Sequence, residues 1–219
     1  MRKVIVGARI SMDGVMQAPS GPDEDDASFT LGGWAAALQG DDPVVWQELG
    51  KLFDQPFDLL LGRRTYEIFA SYWPFATGDI AKPFNRATKY VATRKGVDLT
   101  WKGSVALRDA ARDVANLKKE DGPPLITQGS ADLVHSLLAA GLVDEIRTFT
   151  FPVLLGKGKR IFSDESQPRA FRLAQSAVSP NGIIHAAYVL DGKVKTGLVG
   201  KPNEVAAAKA RREKQKQKG

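Results

Sequence analysis

The chain contains no cysteine, which removes disulfides, thiolate metal sites and a cysteine nucleophile from consideration. Histidine is nearly as scarce: His135 and His185 are the only two, so a structural zinc site lacks ligands. No apolar run approaches the roughly 20 residues of a membrane-spanning helix. The opening MRKVIVGARIS is interrupted by Arg9 before it reaches the length of a secretory core. No membrane association is expected, and a cytoplasmic location is. The body also lacks charge of one sign. Of the formal +6, residues 201–219 hold seven Lys/Arg against Glu204 and Glu213, which leaves residues 1–200 at +1. A nucleic-acid partner is therefore not expected for the body, and any such role falls to the tail.

What is present fits one ordinary domain: 219 residues, 43% hydrophobic and 26% charged, with enough apolar material for a substantial core. We assign residues 1–192 to that domain. Residues 193–219 form a basic tail of good helix formers without an apolar stripe, either a solvated helix or disordered.

Val4, Ile5, Val6, Ala8 and Ile10 predict a first strand, closed by the turn Met12, Asp13, Gly14. Residues 17–40 contain GPDEDD and GGW and have the composition of a long loop or lid. Asp42 before Pro43 then offers a helix start, with Val45, Trp46, Leu49, Leu52 and Phe53 at helical spacing. Next a unit of short apolar strand, polar turn and helix is written three times. The strands are residues 57–61, 90–93 and 125–127, and the helices fall at 65–71, on a stripe from Leu107 to Leu117, and at 133–138. A strand over residues 145–155 and a hairpin around Asn181 and Gly182 complete the pattern. Alternating strands and helices imply an α/β fold, its mixed sheet mostly parallel with a C-terminal antiparallel hairpin.

Ligands of open α/β sheets bind where turns leave the C-terminal ends of strands, because backbone N–H groups and helix N-termini there attract anions. Three such turns carry the polar residues: Gly62, Arg63, Arg64, Thr65; Thr93, Arg94, Lys95; and Gln128, Gly129, Ser130, Ala131. Their cations suit a ligand with several phosphates, since the planar guanidinium fork matches a phosphate monoester. A hydrolase triad of Ser130, Asp132 and His135 is rejected, as the three crowd one helix start and no nucleophile elbow exists. Gly156, Lys157, Gly158 and Lys159 lack the spacing of a nucleotide-binding Walker loop and read as a basic loop at a strand end or a subunit contact.

Five segments carry a resemblance: RISMDG at residues 9–14, LLLGRRTYE at 59–67, VATRKG at 91–96, ITQGSADLVHSLLAAGLVDEI at 126–146 and FPVLLGKGKRIF at 151–162. In this order the chain resembles the dihydrofolate reductase-like superfamily, in particular the reductase domain of bacterial riboflavin biosynthesis and its stand-alone relatives. The resemblance implies a three-layer α/β/α fold that binds NADPH. It assigns Gly62, Arg63, Arg64 and Thr65 to the pyrophosphate and adenosine phosphate, and Thr93 and Arg94 to the 2′-phosphate. Gln128, Gly129, Ser130, Ala131 and Leu133 would form the turn over the dinucleotide, with the nicotinamide near Ala8, Asp13 and Gly14. Asp13 would bind substrate or relay a proton, its other reading being a turn-forming residue before glycine. Trp34 would wall a planar substrate or, equally, anchor its loop.

The implied activity is an NADPH-dependent reductase acting on a small heterocycle, similar to 5-amino-6-(5-phosphoribosylamino)uracil reductase, and the relatives suggest a homodimer. Dihydrofolate reductase proper carries a carboxylate on its first long helix, to which Asp41, Asp42 and Glu48 give no clean match. In the riboflavin enzymes an acidic residue often stands where this chain has Gln128. The alternatives are a dihydrofolate or other pterin reductase, and an NADPH-binding module without turnover.

Overall fold

The computed structural model describes residues 1–25, 29–164 and 166–216. Asp26 of the acidic segment and residues 217–219 of the tail lie outside the described residues. The strands are β1 (Val4–Ser11), β2 (Asp58–Gly62), β3 (Lys89–Ala92), β4 (Ser104–Leu107), β5 (Leu125–Gln128), β6 (Glu145–Phe151), β7 (Phe171–Val178) and β8 (Ile184–Leu190). The helices are α1 (Ala36–Gln39), α2 (Pro43–Phe53), α3 (Arg63–Tyr72), α4 (Ala81–Arg86), α5 (Ala110–Leu117), α6 (Ala131–Ala139) and α7 (Pro202–Lys216).

All eight strands join one sheet in the order β4-β3-β2-β5-β1-β6-β8-β7. The first six run parallel, and β8 is antiparallel to both β6 and β7. Parallel strands need both faces covered, and the side-chain period of two supplies this. Ile5, Leu59, Leu61 and Ile126 join α2, α3 and α4 in one core, whereas Val4, Val6, Leu60 and Leu125 join α5 and α6 in the other. The result is a three-layer α/β/α arrangement. It puts the C-terminal ends of β1 to β6 on one edge.

The start of α2 follows its local chemistry: Asp42 accepts from the Val44 and Val45 N–H groups at 3.0 and 3.2 Å, and Pro43 needs no N–H partner. Trp46 departs from the expected stripe. It is 45% exposed and donates its indole N–H to the Gly40 carbonyl, which pins the helix to the preceding loop. The loop itself contains α1, one short turn of helix. Besides α1, the elements that went unread in the sequence include α4 and the edge strand β4. Leu107, expected to open a helical stripe, ends β4 instead. In the tail, α7 is a helix whose surface is largely exposed. Among the described residues no helix is long and apolar enough to cross a membrane.

Candidate functional site

Turns leaving β2, β3, β4 and β5 open into one cavity of about 890 Å³, which continues past Ala8 and Arg9 on β1. That volume lies in the range of ligand pockets. Five strand positions in a row, from β4 to β1, span about 19 Å at the usual inter-strand spacing. The cavity therefore suits an extended ligand.

Its floor depends on two turns that nearly touch. Ser130 holds the left-handed φ of +66°, a conformation that costs a non-glycine residue energy and gathers at functional sites. There its Oγ accepts the Gly62 N–H at 3.0 Å and bonds the Thr65 hydroxyl at 2.6 Å. The turn after β5 is thus stitched to the start of α3. Glycine is required at position 62, since a Cβ there would lie 2.3 Å from Ser130 Oγ.

The walls are basic. Arg63, Arg64, Arg94, Lys95, Arg108, Lys159 and Arg9 all line the cavity, against Glu24, Asp25, Asp109 and Asp132. Local pairing sorts the cations. Arg63 meets Glu67 on its own helix at 2.9 Å, and Arg64 and Lys159 both meet Asp25, at 2.8 and 3.1 Å. Asp109 caps α5 by accepting the Arg112 N–H. By contrast Arg94, Lys95 and Arg108 make no ion pair among the described residues, and beside them Thr93 Oγ1 is buried without a hydrogen-bond partner. Arg9 is anchored through Nε to Gln39 Oε1 at 2.8 Å.

Of the residues singled out from the sequence, the cavity brings together Ala8, Gly62, Arg63, Arg64, Thr65, Thr93, Arg94, Gln128, Gly129, Ser130, Ala131 and Leu133. Asp13, Gly14 and Trp34 are not part of its lining. Asp13 is committed to the turn after β1: its carboxylate accepts from Ser11 Oγ at 2.6 Å, the Leu155 and Gly156 N–H groups at 3.2 and 2.9 Å, and Arg160 at 3.1 Å. These bonds, Ser11's foremost, hold it well below the usual carboxylate range, so it stays ionised and acts as a hydrogen-bond acceptor. Trp34 is buried, donates to the Gln17 carbonyl at 2.8 Å and packs edge-on against Phe151. It anchors its loop.

Among the lining residues that escaped sequence reasoning are Arg108, Gln17 and Lys159. Arg108 follows a strand too exposed to recognise, Gln17 sat within a segment read only as loop, and Lys159 lay in the basic loop after β6. A second, water-sized cavity of about 10 Å³ adjoins Ala8, Arg9 and Gln128 and is lined by Glu48, Arg147 and His185. Glu48 is buried there, bonded to Lys51 and Gln175 at 2.6 Å each, with His185 Nδ1 at 3.5 Å. Burial lowers the His185 pKa against the pull of Glu48. Among the described residues no cluster of carboxylates and histidines could hold a metal ion.

Fold and cleft together define an α/β protein with a long basic groove across the C-terminal edge of a parallel sheet. Residues 2–185 match the family model described as the RibD C-terminal domain, and the chain belongs to that family. Among curated proteins it is 25% identical over 178 residues to the uncharacterized protein YyaP of Bacillus subtilis (strain 168), covering 76% of this chain and 94% of that one. Among solved structures, a pyrimidine reductase-like protein from Corynebacterium diphtheriae superposes with a TM-score of 0.60 at 12% identity, over 87% of this chain and 92% of its own. Dihydrofolate reductase from Enterococcus faecalis, complexed with NADP(H) and RAB-propyl, gives 0.55 at 13% identity, over 86% and 96%. The fold is dihydrofolate reductase-like.

Proposed function

We propose that the protein is an NADPH-dependent reductase that delivers hydride to a small heterocycle, of the kind reduced in riboflavin biosynthesis. The observation that carries this reading is the far end of the groove, lined by three cations without ion pairs among the described residues, Arg94, Lys95 and Arg108, and by Thr93, whose buried hydroxyl has no partner among them. A 2′-phosphate, with about two negative charges and several acceptor oxygens, meets the need of all four groups. The turns after β2 and β5 fit the rest of a dinucleotide, because Gly62, Gly129 and the strained Ser130 let backbone approach closely.

When bound, NADPH would supply the hydride and its two electrons. The chain's task is to hold the ring and the substrate together and keep water out. Ala8 and Arg9 border the substrate end, and residues 18–20 of the long loop also line the cavity. We assign the proton to water, because the Asp13 carboxylate already accepts four donors. A homodimer would find its apolar surface on the β7–β8 extension, where Leu173, Val178, Ile184 and Tyr188 are exposed. The basic tail is read as a solvated helix and not as a nucleic-acid arm.

Calorimetry with NADPH and NADH tests the cofactor. Wild type should prefer NADPH, and Arg94→Ala or Arg108→Ala should weaken NADPH about 10-fold or more, the scale of one charge-assisted contact, while leaving NADH unchanged. Equal binding of both dinucleotides would remove the reading of this end. Oxidation of NADPH on a panel of pyrimidines and pterins then separates an enzyme from a binding module.

A further inference from the structure

The Asp25 carboxylate lies in the groove, held by Gln17 of its own loop and by Arg64 and Lys159 from two distant parts of the chain. Gln17 donates Nε2 to Oδ2 at 2.8 Å, and Lys159 Nζ stands 3.1 Å from the same oxygen. Arg64 turns Nε and a terminal nitrogen onto Oδ1, each at 2.8 Å. Two of these donors, Arg64 and Lys159, lie outside the loop that carries Asp25. Arg64 sits in the first turn of α3, Lys159 follows β6, and Gln17 is buried, its own oxygen fixed by the Lys159 N–H at 3.0 Å. The framework thus builds a cradle for an oxyanion. An acidic segment, GPDEDD, delivers the anion. Burial opposes the charge on Asp25, but the bonds from Arg64, Lys159 and Gln17 prevail and keep it ionised.

We propose that Gln17, Arg64 and Lys159 form a phosphate subsite, and that Asp25 is an internal occupant which the diphosphate of an entering dinucleotide displaces. This rests on the cofactor reading above and adds to it two residues, Gln17 and Lys159, and a competitor. A carboxylate and a phosphate ask the same thing of a guanidinium fork, and a fork already turned onto one is not presented to the other. Arg64 and Lys159 both line the groove, where a diphosphate entering in place of Asp25 meets them. Every dinucleotide that enters then competes against the chain's own carboxylate, and affinity is set below what the cradle alone would give. The effect differs in kind from 2′-phosphate recognition. It acts on the diphosphate, which NADPH and NADH share.

Calorimetry on Asp25→Asn and Lys159→Ala tests this. Asp25→Asn should bind both NADPH and NADH more tightly, by about 10-fold and by equal factors, the size of one charge-assisted contact. Lys159→Ala should weaken both. Weaker or unchanged binding by Asp25→Asn would overturn the proposal, weaker binding making Asp25 a clamp that holds the loop over the cofactor. If wild type and Asp25→Asn bind neither dinucleotide, the cofactor reading falls separately. Inorganic pyrophosphate titrated into Asp25→Asn then decides the subsite: saturable binding that Lys159→Ala abolishes keeps it for a free phosphate, and no binding removes it.

Discussion

At position 62 one hydrogen atom decides whether two turns can meet. A methyl group there would lie 2.3 Å from Ser130 Oγ and 2.7 Å from its Cβ, distances at which backbone must move. Gly62→Ala should therefore destabilise the protein by about 1–3 kcal/mol, the usual cost of overpacking, as read by urea unfolding. Adding Ser130→Gly removes both offending atoms and the strained φ of +66°, so the double variant should recover part of that loss although the Gly62 N–H loses its acceptor. A double-mutant cycle shows this as a coupling energy. Additive losses would mean that the turns are not in contact. Nothing in the sequence marks Ser130 as a left-handed residue, whereas Gly62 after three leucines was legible as a tight exit from a strand.

Between neighbouring elements the same contrast recurs, and burial explains it. β2 was readable because all five of its residues are buried, and α2 because an N-cap, a proline and an apolar face coincide. β4 was not, since among its residues only Leu107 is buried, and an edge strand needs no apolar pattern. With β4 went Arg108 and one end of the groove. The β3–β4 edge also hides a lysine that polarity would put outside. Lys89 is fully buried under Trp101, 4.4 Å from the ring centre, and donates to the Asn85 and Lys102 carbonyls at 2.7 and 3.0 Å. Burial brings its pKa down from 10.5 to about 8, with Asp58 opposing. Between those values the unfolded chain holds a proton that the folded chain has released, so stability rises with pH across that window. Below about pH 8 both states are charged and the dependence ends. Denaturation of wild type and Lys89→Met should therefore show wild type gaining on the variant from pH 8 to pH 10.5. Parallel curves would mean that Lys89 keeps its ordinary pKa in the fold.

On the scale of the whole molecule, the sheet order turns separate sequence motifs into one groove. β5 enters between β2 and β1, which brings Gln128, Gly129 and Ser130 against Gly62 although nearly seventy positions separate Ser130 from it in the chain. The motifs were legible one by one. Their adjacency required the crossover. Nor did the sequence reveal that acidic residue 25 would occupy the basic groove, because that pairing joins the turn after β1, the start of α3 and the loop after β6. A ligand that spans these turns binds only the folded chain and should stabilise all of it. At 100 times its Kd, NADPH should add about 2.7 kcal/mol, which for a chain of this size raises Tm by roughly 5–10 °C. Among the described residues, none from 193 onward belongs to either core or lines the groove. A protein ending at residue 192 should accordingly show the same Tm within about 1 °C and the same NADPH shift. A lower Tm would tie the tail to the fold, and a smaller shift with Tm unchanged would bring its charge to bear on the groove.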